Sequence, residues 1–244
     1  MRNVWTIYRR EFAAYFNSPI AYIFIVGFLA IMGFLFFIFS RFFSQQNPDL
    51  RVYFELFMPI VFILFIPAIT MRLWSEEKKQ GTLEMLMTLP VNSWEVVAAK
   101  FLAAYTIIAV TLVLTLIVPI SVAMVVENMD AKALFANYLG ALLIAGIYIA
   151  IGSWISALTK DQVVAFVLAT LACAIVCFVG YPHVVDWFNQ NLGGLGGFLV
   201  YFGVYFHNQK FAQGLVGAVD VVYALGMMGL FLGLNNFAVE SRKY

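Results

Sequence analysis

Six apolar stretches set the limits on how this chain can fold. Most approach the roughly 20 residues that an α-helix needs to cross about 30 Å of hydrocarbon. Because backbone groups cannot bond water inside lipid, a helix that satisfies its own hydrogen bonds is the simplest element that can cross. The second stretch is short and holds Pro59 and Pro67, which predict soft ends and a bend. The sequence therefore predicts six transmembrane helices, at residues 20–40, 56–71, 101–126, 133–158, 162–182 and 219–239.

The composition supports a lipid environment for most of the chain. Hydrophobic residues make up 64% of the 244 residues and charged residues only 11%, whereas a soluble domain is close to half apolar and a quarter charged. Residues 1–244 therefore form a single transmembrane domain of the all-α class, with the lipid bilayer as its main partner. The net charge is +1 and the Lys and Arg residues form no basic run, so nucleic acid is not an expected partner.

The basic residues predict the orientation of the spans. Ten of them fall at the two termini and in alternate loops, and four fall in the remaining loops. Short cytoplasmic loops carry an excess of Lys and Arg, so both termini are expected on the cytoplasmic side of a multi-pass membrane protein. The ten are Arg2, Arg9, Arg10, Arg72, Lys78, Lys79, Lys100, Lys160, Arg242 and Lys243, and the four are Arg41, Arg51, Lys132 and Lys210.

Two segments outside the six stretches have a pattern of their own. Residues 1–19 place aromatic and apolar side chains on one helical face and end in Asn17, Ser18 and Pro19, which predicts an amphipathic helix on the membrane surface. Its function could be no more than anchoring. Residues 183–218 are too apolar for a solvated loop and predict a re-entrant outward segment, with an aromatic belt lying on the surface as the alternative.

The sequence contains no recognisable motif for catalysis or metal binding. The chain has two histidines, His183 and His207, each expected as a polar residue at the membrane interface, and it lacks His-x-x-x-His, Gly-x-Ser-x-Gly and phosphate-loop motifs. Cys173 and Cys177 lie four residues apart in an apolar stretch, which is typical of buried free thiols. The middles of the spans carry no charge, unlike those of most ion-coupled transporters. We therefore expect no catalytic, cofactor or metal site, and energy supplied by another subunit.

Residues 72–95 form the one hydrophilic segment with clear organisation, between the second and third stretches. Gly81 interrupts a charged run, Thr82 is placed to cap a short helix with Leu83, Leu86 and Met87 on one face, and Pro90 marks its exit. Asn92 and Glu95 then match a capping box, with Val91 and Val96 as a hydrophobic staple. This pattern predicts a cytoplasmic coupling surface; a well-capped loop lying against the headgroups is the alternative.

Residues 76–91, EEKKQGTLEMLMTLPV, resemble the Glu-Glu-x-x-x-Gly-Thr-Leu-Glu-x-Leu-x-Thr-x-Pro-Val signature of ABC-2 type transporter permeases. The likeness extends over the whole chain, and residues 207–225, HNQKFAQGLVGAVDVVYAL, are similar to the gliding-motility-type permeases and their nitrous-oxide-cluster relatives. Met85 and Met87 stand where the family often has Leu, a change that conserves volume.

The resemblance implies a fold and a set of partners. The fold is the ABC-2 (type V) permease fold, in which residues 1–19 form an elbow helix, residues 72–95 carry a coupling helix and residues 183–218 are re-entrant. The partners are a cytoplasmic ABC ATPase dimer, which binds ATP and Mg, and a second permease copy or a related permease subunit. The gliding-motility type also implies a membrane subunit with a large outward domain. The location implied is the bacterial cytoplasmic (inner) membrane. The resemblance assigns ATPase coupling to Arg72, Glu76, Glu77, Gly81, Thr82, Leu83, Glu84, Leu86 and Pro90.

The last stretch carries a separate packing signal. Gly226, Gly229 and Gly233 lie along one side of it, and the last two have the Gly-x-x-x-Gly spacing that lets helix backbones approach closely. Ordinary glycine abundance in membrane helices would give the same pattern.

Two functions remain open from the sequence. The first is the membrane subunit of an ATP-driven exporter or force-transmitting complex, energised by a separate ATPase. The second is a non-transporting membrane scaffold or sensor that tethers the ATPase. The two differ in whether the ATPase responds to an outward-side substrate or only to occupancy of the loop.

Overall fold

A computed structural model of the chain describes residues 2–39, 50–82, 91–124, 131–191 and 196–241, and almost all of these residues are helical. Short π-helical turns, Leu35–Phe39 and Tyr53–Phe57, follow the second helix and precede the third. The helices are α1 Arg2–Asn17, α2 Ile20–Phe34, α3 Met58–Thr70, α4 Arg72–Gln80, α5 Ser93–Leu114, α6 Ile117–Ala123, α7 Ala131–Leu158, α8 Gln162–Phe178, α9 Pro182–Asn191, α10 Gly196–Phe202, α11 Val204–Ala212 and α12 Ala218–Glu240.

Five helical segments in the described ranges are long and apolar enough to cross a membrane. They are Ala21–Ile38, Tyr53–Gln80, Ser93–Ala123, Ala131–Leu158 and Ala218–Glu240. The pair α8 and α9 passes the same test together but is bent by 77°, so it is either a sixth, broken span or a re-entrant loop. The prediction of an all-α protein with several membrane-crossing helices is confirmed, and the count of six requires that the bent pair be one crossing.

The helix around the second predicted stretch extends beyond the predicted ends on both sides. It runs from Tyr53 through α3, continues past Pro67, and after one turn residue at Met71 becomes the polar helix α4. The third helix also begins early, at Ser93, where the side chain of Asn92 accepts a hydrogen bond from the Trp94 N–H at 3.3 Å. The predicted cap at Asn92 is therefore confirmed. Hydropathy located the lipid-compatible part of both helices and not their polar ends.

Helix α7 forms the centre of the bundle because its neighbours surround it. It packs against α3, α4, α5, α8, α11 and α12, and 83% of its most apolar window is buried. Small residues allow this close packing: a Cβ on Gly152 would overlap Thr70 Oγ1, and one on Gly140 would lie 2.5 Å from Phe211. In contrast, only 22% of the corresponding window of α12 is buried, so most of its surface faces away from this chain.

Helix α1 packs along the first half of α5. Asn3 donates to Glu95 at 3.2 Å and Tyr8 donates to Thr106 at 3.2 Å. The chain then leaves α1 at Ser18, whose hydroxyl donates to the Tyr15 carbonyl at 3.2 Å. The predicted helix and its break after residue 16 match α1, while its contact with the membrane surface remains a prediction.

The segment before α12 folds as three short helices, α9 to α11. Gly203 separates α10 from α11 and lies so close to the backbone of Gly180 that a Cβ at Gly203 would overlap it. Helix α11 packs on α7, α8 and the Tyr53–Phe57 turn. The segment is therefore structured and packed on protein, as a re-entrant element would need to be, but its position relative to lipid remains a prediction.

Candidate functional site

The structure describes both ends of the predicted coupling segment, residues 72–82 and 91–95, but not residues 83–90 between them. Helix α4 ends at Gly81, which adopts a left-handed conformation with φ +70°, the backbone geometry that commonly ends helices at glycine. Thr82 Oγ1 donates to the Glu77 carbonyl at 3.3 Å. The short helix predicted after Thr82, with the candidate residues Leu83, Glu84, Leu86 and Pro90, lies outside the described residues.

The buried side of α4 is joined to α7 by Ser156. Its hydroxyl oxygen accepts hydrogen bonds from the backbone N–H groups of Trp74 at 3.1 Å and Ser75 at 3.2 Å, and it donates to the Met71 carbonyl at 2.9 Å. Ser156 is fully buried. One side chain of α7 therefore satisfies three backbone groups at the junction between α3 and α4.

A second serine extends this junction to α12. Ser153 Oγ accepts hydrogen bonds from the indole N–H of Trp74 at 3.2 Å and from Asn235 Nδ2 at 2.7 Å. All three side chains are buried. Lys78 Nζ, near the end of α4, donates to the carbonyl of Ala157. Helix α4 is thus attached directly to α7, and Ser153 of α7 links it indirectly to α12. We call this side of the bundle the α4 end.

A buried lysine joins α4 to α1. Lys100 Nζ lies 2.8 Å from Glu77 Oε1 and 3.2 Å from Glu11 Oε2, and it sits over the Trp74 ring at 5.2 Å. Lys100 is only 1% exposed. A buried ammonium is tolerated only when it is paired and hydrogen-bonded, so the two carboxylates and the ring are what allow Lys100 to remain there. The three helices α1, α4 and α5 meet at this residue.

A cavity of about 290 Å³ opens beside Lys100, between α1 and α4. Two buried polar atoms next to it, Glu77 Oε2 and Arg72 Nε, have no hydrogen-bond partner within the described part of the chain. The carboxylate of Glu76 accepts a hydrogen bond from Gln80 Nε2 at 3.4 Å. Burial raises the pKa of Tyr15 on the α1 side of this cavity, where its hydroxyl donates to the Ile69 carbonyl at 3.4 Å. Both helices that line the cavity contribute charged side chains: Glu11 on α1, and Arg72, Glu76 and Glu77 on α4.

Of the candidate coupling residues that are described, the structure brings Arg72, Glu76 and Glu77 together at this cavity and places Gly81 and Thr82 beyond it on the exposed end of α4. Sequence reasoning missed Lys100, which was counted only as a positive loop charge. The available signal was its position within the otherwise apolar run VVAAKFLAAY, where a charge needs a buried partner.

The prediction for His207 was wrong, because this side chain is buried inside the protein. It belongs to a polar cluster at the end of the bundle opposite α4. His207 Nδ1 lies 2.6 Å from Asp220 Oδ1, Nε2 lies 3.1 Å from the Tyr201 carbonyl oxygen, and the imidazole stacks on Tyr223 with ring centres 3.9 Å apart. His183 is exposed, as expected for an interfacial residue. The periodicity of the segment gave no sign that His207 faces inward.

A neighbouring cluster fixes the other side of α11. Asn208 Nδ2 donates to the carbonyls of Phe54 at 3.1 Å and Glu55 at 3.0 Å, while the Glu55 carboxylate accepts from Tyr205 at 3.1 Å and Gln209 at 3.2 Å. Burial and the nearby Glu55 charge raise the pKa of Tyr205 to about 12. The phenol therefore stays protonated and acts as a donor across the physiological range.

The glycines of α12 do not pack against the described part of this chain. A Cβ at Gly226, Gly229 or Gly233 would meet no described atom of another element within 4 Å. Their role in helix packing therefore remains a prediction.

Within the described ranges, no group of three or more His, Cys, Asp or Glu side chains is arranged to hold a metal ion. Cys173 and Cys177 are free and buried, as predicted.

Comparison with known proteins identifies the family. Residues 5–196, which cover most of the chain, match the family model described as ABC-2 family transporter protein. No curated protein matches the chain. The matched region includes α4, the junction with Ser153 and Ser156, and the Lys100 cluster. With its five or six apolar helices, the chain therefore belongs to the ABC-2 transporter family and is a multi-pass membrane subunit of a transporter.

Proposed function

We propose that this chain is the permease subunit of an ATP-driven ABC-2 type transporter, an exporter or a force-transmitting complex, energised by a separate ATPase that docks on residues 72–90. The observation that best supports the proposal is the attachment of α4 to the bundle. A helix that receives force must be fixed to the elements it moves. Ser153 and Ser156 hold α4 to α7, and Ser153 also holds Asn235 of α12 to α7.

The geometry supports a rigid-body mode of coupling. Trp74 and Ser75 are fully buried against α7, and small residues on α7 leave no gap at Thr70. Packed interiors deform little and move between discrete arrangements. A displacement of α4 by an ATPase would therefore shift α7 and α12 together and not bend α4 alone.

The exposed end of α4 leads to the docking segment. Gly81 ends the helix with φ +70°, and the chain leaves this point toward residues 83–90, whose pattern predicts the short helix that enters the ATPase. Lys100 ties α1 into the same unit through Glu11 and Glu77. We infer that the ATPase contacts α1 as well as residues 72–90, with ATP and Mg bound entirely by the ATPase.

The proposal extends to assembly and orientation. Most of the α12 surface faces away from this chain. This surface could contact a second permease copy or a related subunit, or lipid. The subtype proposed is the gliding-motility type, whose partners include a membrane subunit with a large outward domain. We propose that the chain lies in the bacterial cytoplasmic membrane, with both termini and the α4 end in the cytoplasm.

Purification from native membranes tests the docking surface. The tagged chain is isolated in mild detergent, the ATPase that accompanies it is identified by mass spectrometry, and its activity is measured with and without the chain. We expect Glu76→Ala with Glu77→Ala, or Leu83→Asp with Leu86→Asp, to lose the ATPase or its stimulation. Asp186→Ala, which removes an exposed carboxylate from α9 outside the docking segment, serves as the control. Unchanged recovery and stimulation in both double variants would refute the docking surface.

A transport subunit and a tethering scaffold differ in a second measurement. In a transporter, ATPase activity changes when the opposite end of the bundle is blocked, whereas in a scaffold it depends only on occupancy of residues 72–90. Blocking α11 against α12 with an engineered cross-link and then measuring ATPase activity separates the two functions.

Cysteine labelling tests the orientation. Cys173 and Cys177 are buried and should give little background. Gln80→Cys is expected to react only from the cytoplasm and Gln213→Cys, at an exposed position beyond α11, only from outside. Asn208 is a poor position for this label because it is buried and hydrogen-bonded. Reaction of Gln213→Cys from the cytoplasm would overturn the topology.

A further inference from the structure

Helix α1 carries a continuous row of aromatic rings. Trp5 stacks on Tyr8 with ring centres 5.2 Å apart, and Tyr8 stacks on Phe12 at 5.8 Å. Phe16 lies 5.0 Å from Phe12 and 5.8 Å from Tyr22, which is at the start of α2. The two ends of the row, Trp5 and Tyr22, are 65% and 56% exposed. Trp and Tyr are enriched where membrane proteins meet the lipid headgroups, so the row supports the predicted position of α1 at that level.

The cavity between α1 and α4 opens on the same turns of α1 and carries charges of both signs. Its volume is about 290 Å³. Three carboxylates and two cations line it: Glu11 from α1, Arg72, Glu76 and Glu77 from α4, and Lys100 from α5. Lys100 is already paired with Glu11 and Glu77. The cavity therefore lies at the predicted headgroup level and has groups that can hold both an anion and a cation.

Two buried atoms at this cavity call for a ligand with both a donor and an acceptor. Glu77 Oε2 and Arg72 Nε have no hydrogen-bond partner within the described part of the chain. An ionised carboxylate oxygen can only accept and a guanidinium N–H can only donate. The charges of the two side chains favour a cationic donor and an anionic acceptor. A Lys or Arg side chain from a protein partner supplies donors alone and would leave Arg72 unsatisfied.

We propose that this cavity binds the headgroup of a phospholipid with a primary amine, of the phosphatidylethanolamine type. The phosphate accepts hydrogen bonds from Arg72, whose planar guanidinium matches phosphate geometry. The ammonium donates to Glu77 Oε2 and lies within the field of Glu76. A volume of about 290 Å³ is at the lower end of small-molecule sites, which run from roughly 300 to 1,000 Å³, and suits a headgroup whose acyl chains remain outside, in the bilayer.

The bound lipid joins α1 to α4. Both helices form walls of the cavity, so a headgroup between them adds contacts to those that Lys100 provides. The lipid composition of the membrane then sets how firmly α4 is held to α1, and in the proposed orientation the lipid belongs to the cytoplasmic leaflet. The site does not depend on the proposed ATPase docking, because lipid binding can be measured on the chain alone.

Thermal unfolding of the full chain in detergent, without any ATPase, tests the headgroup preference. Phosphatidylethanolamine at about ten times its Kd should raise the unfolding midpoint by roughly 3–6 °C. Phosphatidylcholine should give a smaller shift because its quaternary ammonium cannot donate to Glu77, and phosphatidylglycerol because it has no cation for the carboxylates. A shift from phosphatidylethanolamine that is no larger than that from either of the other lipids overturns the proposal.

Variants and a soluble ligand locate the site. Arg72→Gln should remove most of the stabilisation by phosphatidylethanolamine, and Glu76→Gln should narrow its advantage over phosphatidylcholine. Arg9→Gln removes an exposed cation of α1 that does not line the cavity and should behave as the wild type. Full stabilisation of Arg72→Gln refutes the site; if this variant does not fold, the wild-type lipid series decides. Soluble phosphoethanolamine at the same concentration should stabilise little, and an equal shift from it would refute a lipid as the occupant.

Discussion

Replacing Ser156 with alanine should weaken the attachment of α4 to α7 without changing the shape of the core. The hydroxyl accepts hydrogen bonds from two backbone N–H groups and donates to the Met71 carbonyl. Alanine leaves the two buried N–H groups without this partner, whereas the Met71 carbonyl still accepts a hydrogen bond from the Ser75 hydroxyl. An unsatisfied buried polar group costs about 1–3 kcal/mol. Because the two N–H groups share one oxygen, we expect a total loss of about 2–4 kcal/mol in unfolding free energy.

The measurement is reversible unfolding of the purified chain in detergent, followed by the fluorescence of Trp74 and the other tryptophans. Ser121→Ala is the matched control, because Ser121 is exposed and its hydroxyl donates to the Ile117 carbonyl of its own helix at 2.6 Å. In a complex with the ATPase, Ser156→Ala should also retain ATPase binding but lose part of its effect on ATPase activity. A change in unfolding free energy of Ser156→Ala no larger than that of Ser121→Ala would refute the reasoning.

Three further changes test other contacts of the fold. Lys100→Met removes the cation between two partly buried carboxylates and should lower the unfolding free energy by about 2–4 kcal/mol; a loss that Lys100→Arg does not reduce would contradict the ion-pair explanation. Gly152→Ala should cost about 1–3 kcal/mol through overlap with Thr70, and Thr70→Ala should recover part of that loss in the double variant, as calorimetry can show. Gly229→Leu should leave the unfolding free energy of the isolated chain within about 0.5 kcal/mol but reduce self-association in cross-linking, and unchanged cross-linking would argue against a second copy at α12.

The membrane helices could be predicted from the sequence because hydrophobicity alone decides whether a segment is stable in lipid. Hydrophobicity did not, however, predict where these helices begin and end. It placed the end of the second helix near Met71, where polar residues begin, although the backbone remains helical to Gln80. Polarity marks where a helix leaves an apolar environment, whereas glycine at position 81 marks where the helix itself stops.

The polar contacts of the candidate site could not be predicted in the same way. Ser156 lies more than 80 positions from Trp74, and a serine in an apolar helix carries no sign of which backbone it will contact. His207 and Asp220 are closer in sequence, but they belong to different helices, so their pairing depends on how the chain turns between them. The sequence motif indicated that α4 belongs to a functional segment. The pairing of Glu77 with Lys100 becomes visible only in the packed structure.

The bend after α8 has a consequence for the lipid around the protein. Helix α8 has 17 residues and is therefore about 25 Å long, shorter than the roughly 30 Å hydrocarbon core of a typical bilayer. The chain then turns through 77° into α9, whose Trp187 is exposed and of a type that anchors at the headgroups. In the proposed topology with six spans, α8 is a short crossing fixed by an interfacial tryptophan, and the resulting hydrophobic mismatch is relieved by thinning of the bilayer. We expect the membrane beside α8 to be locally thin, and the protein to prefer lipids with short acyl chains.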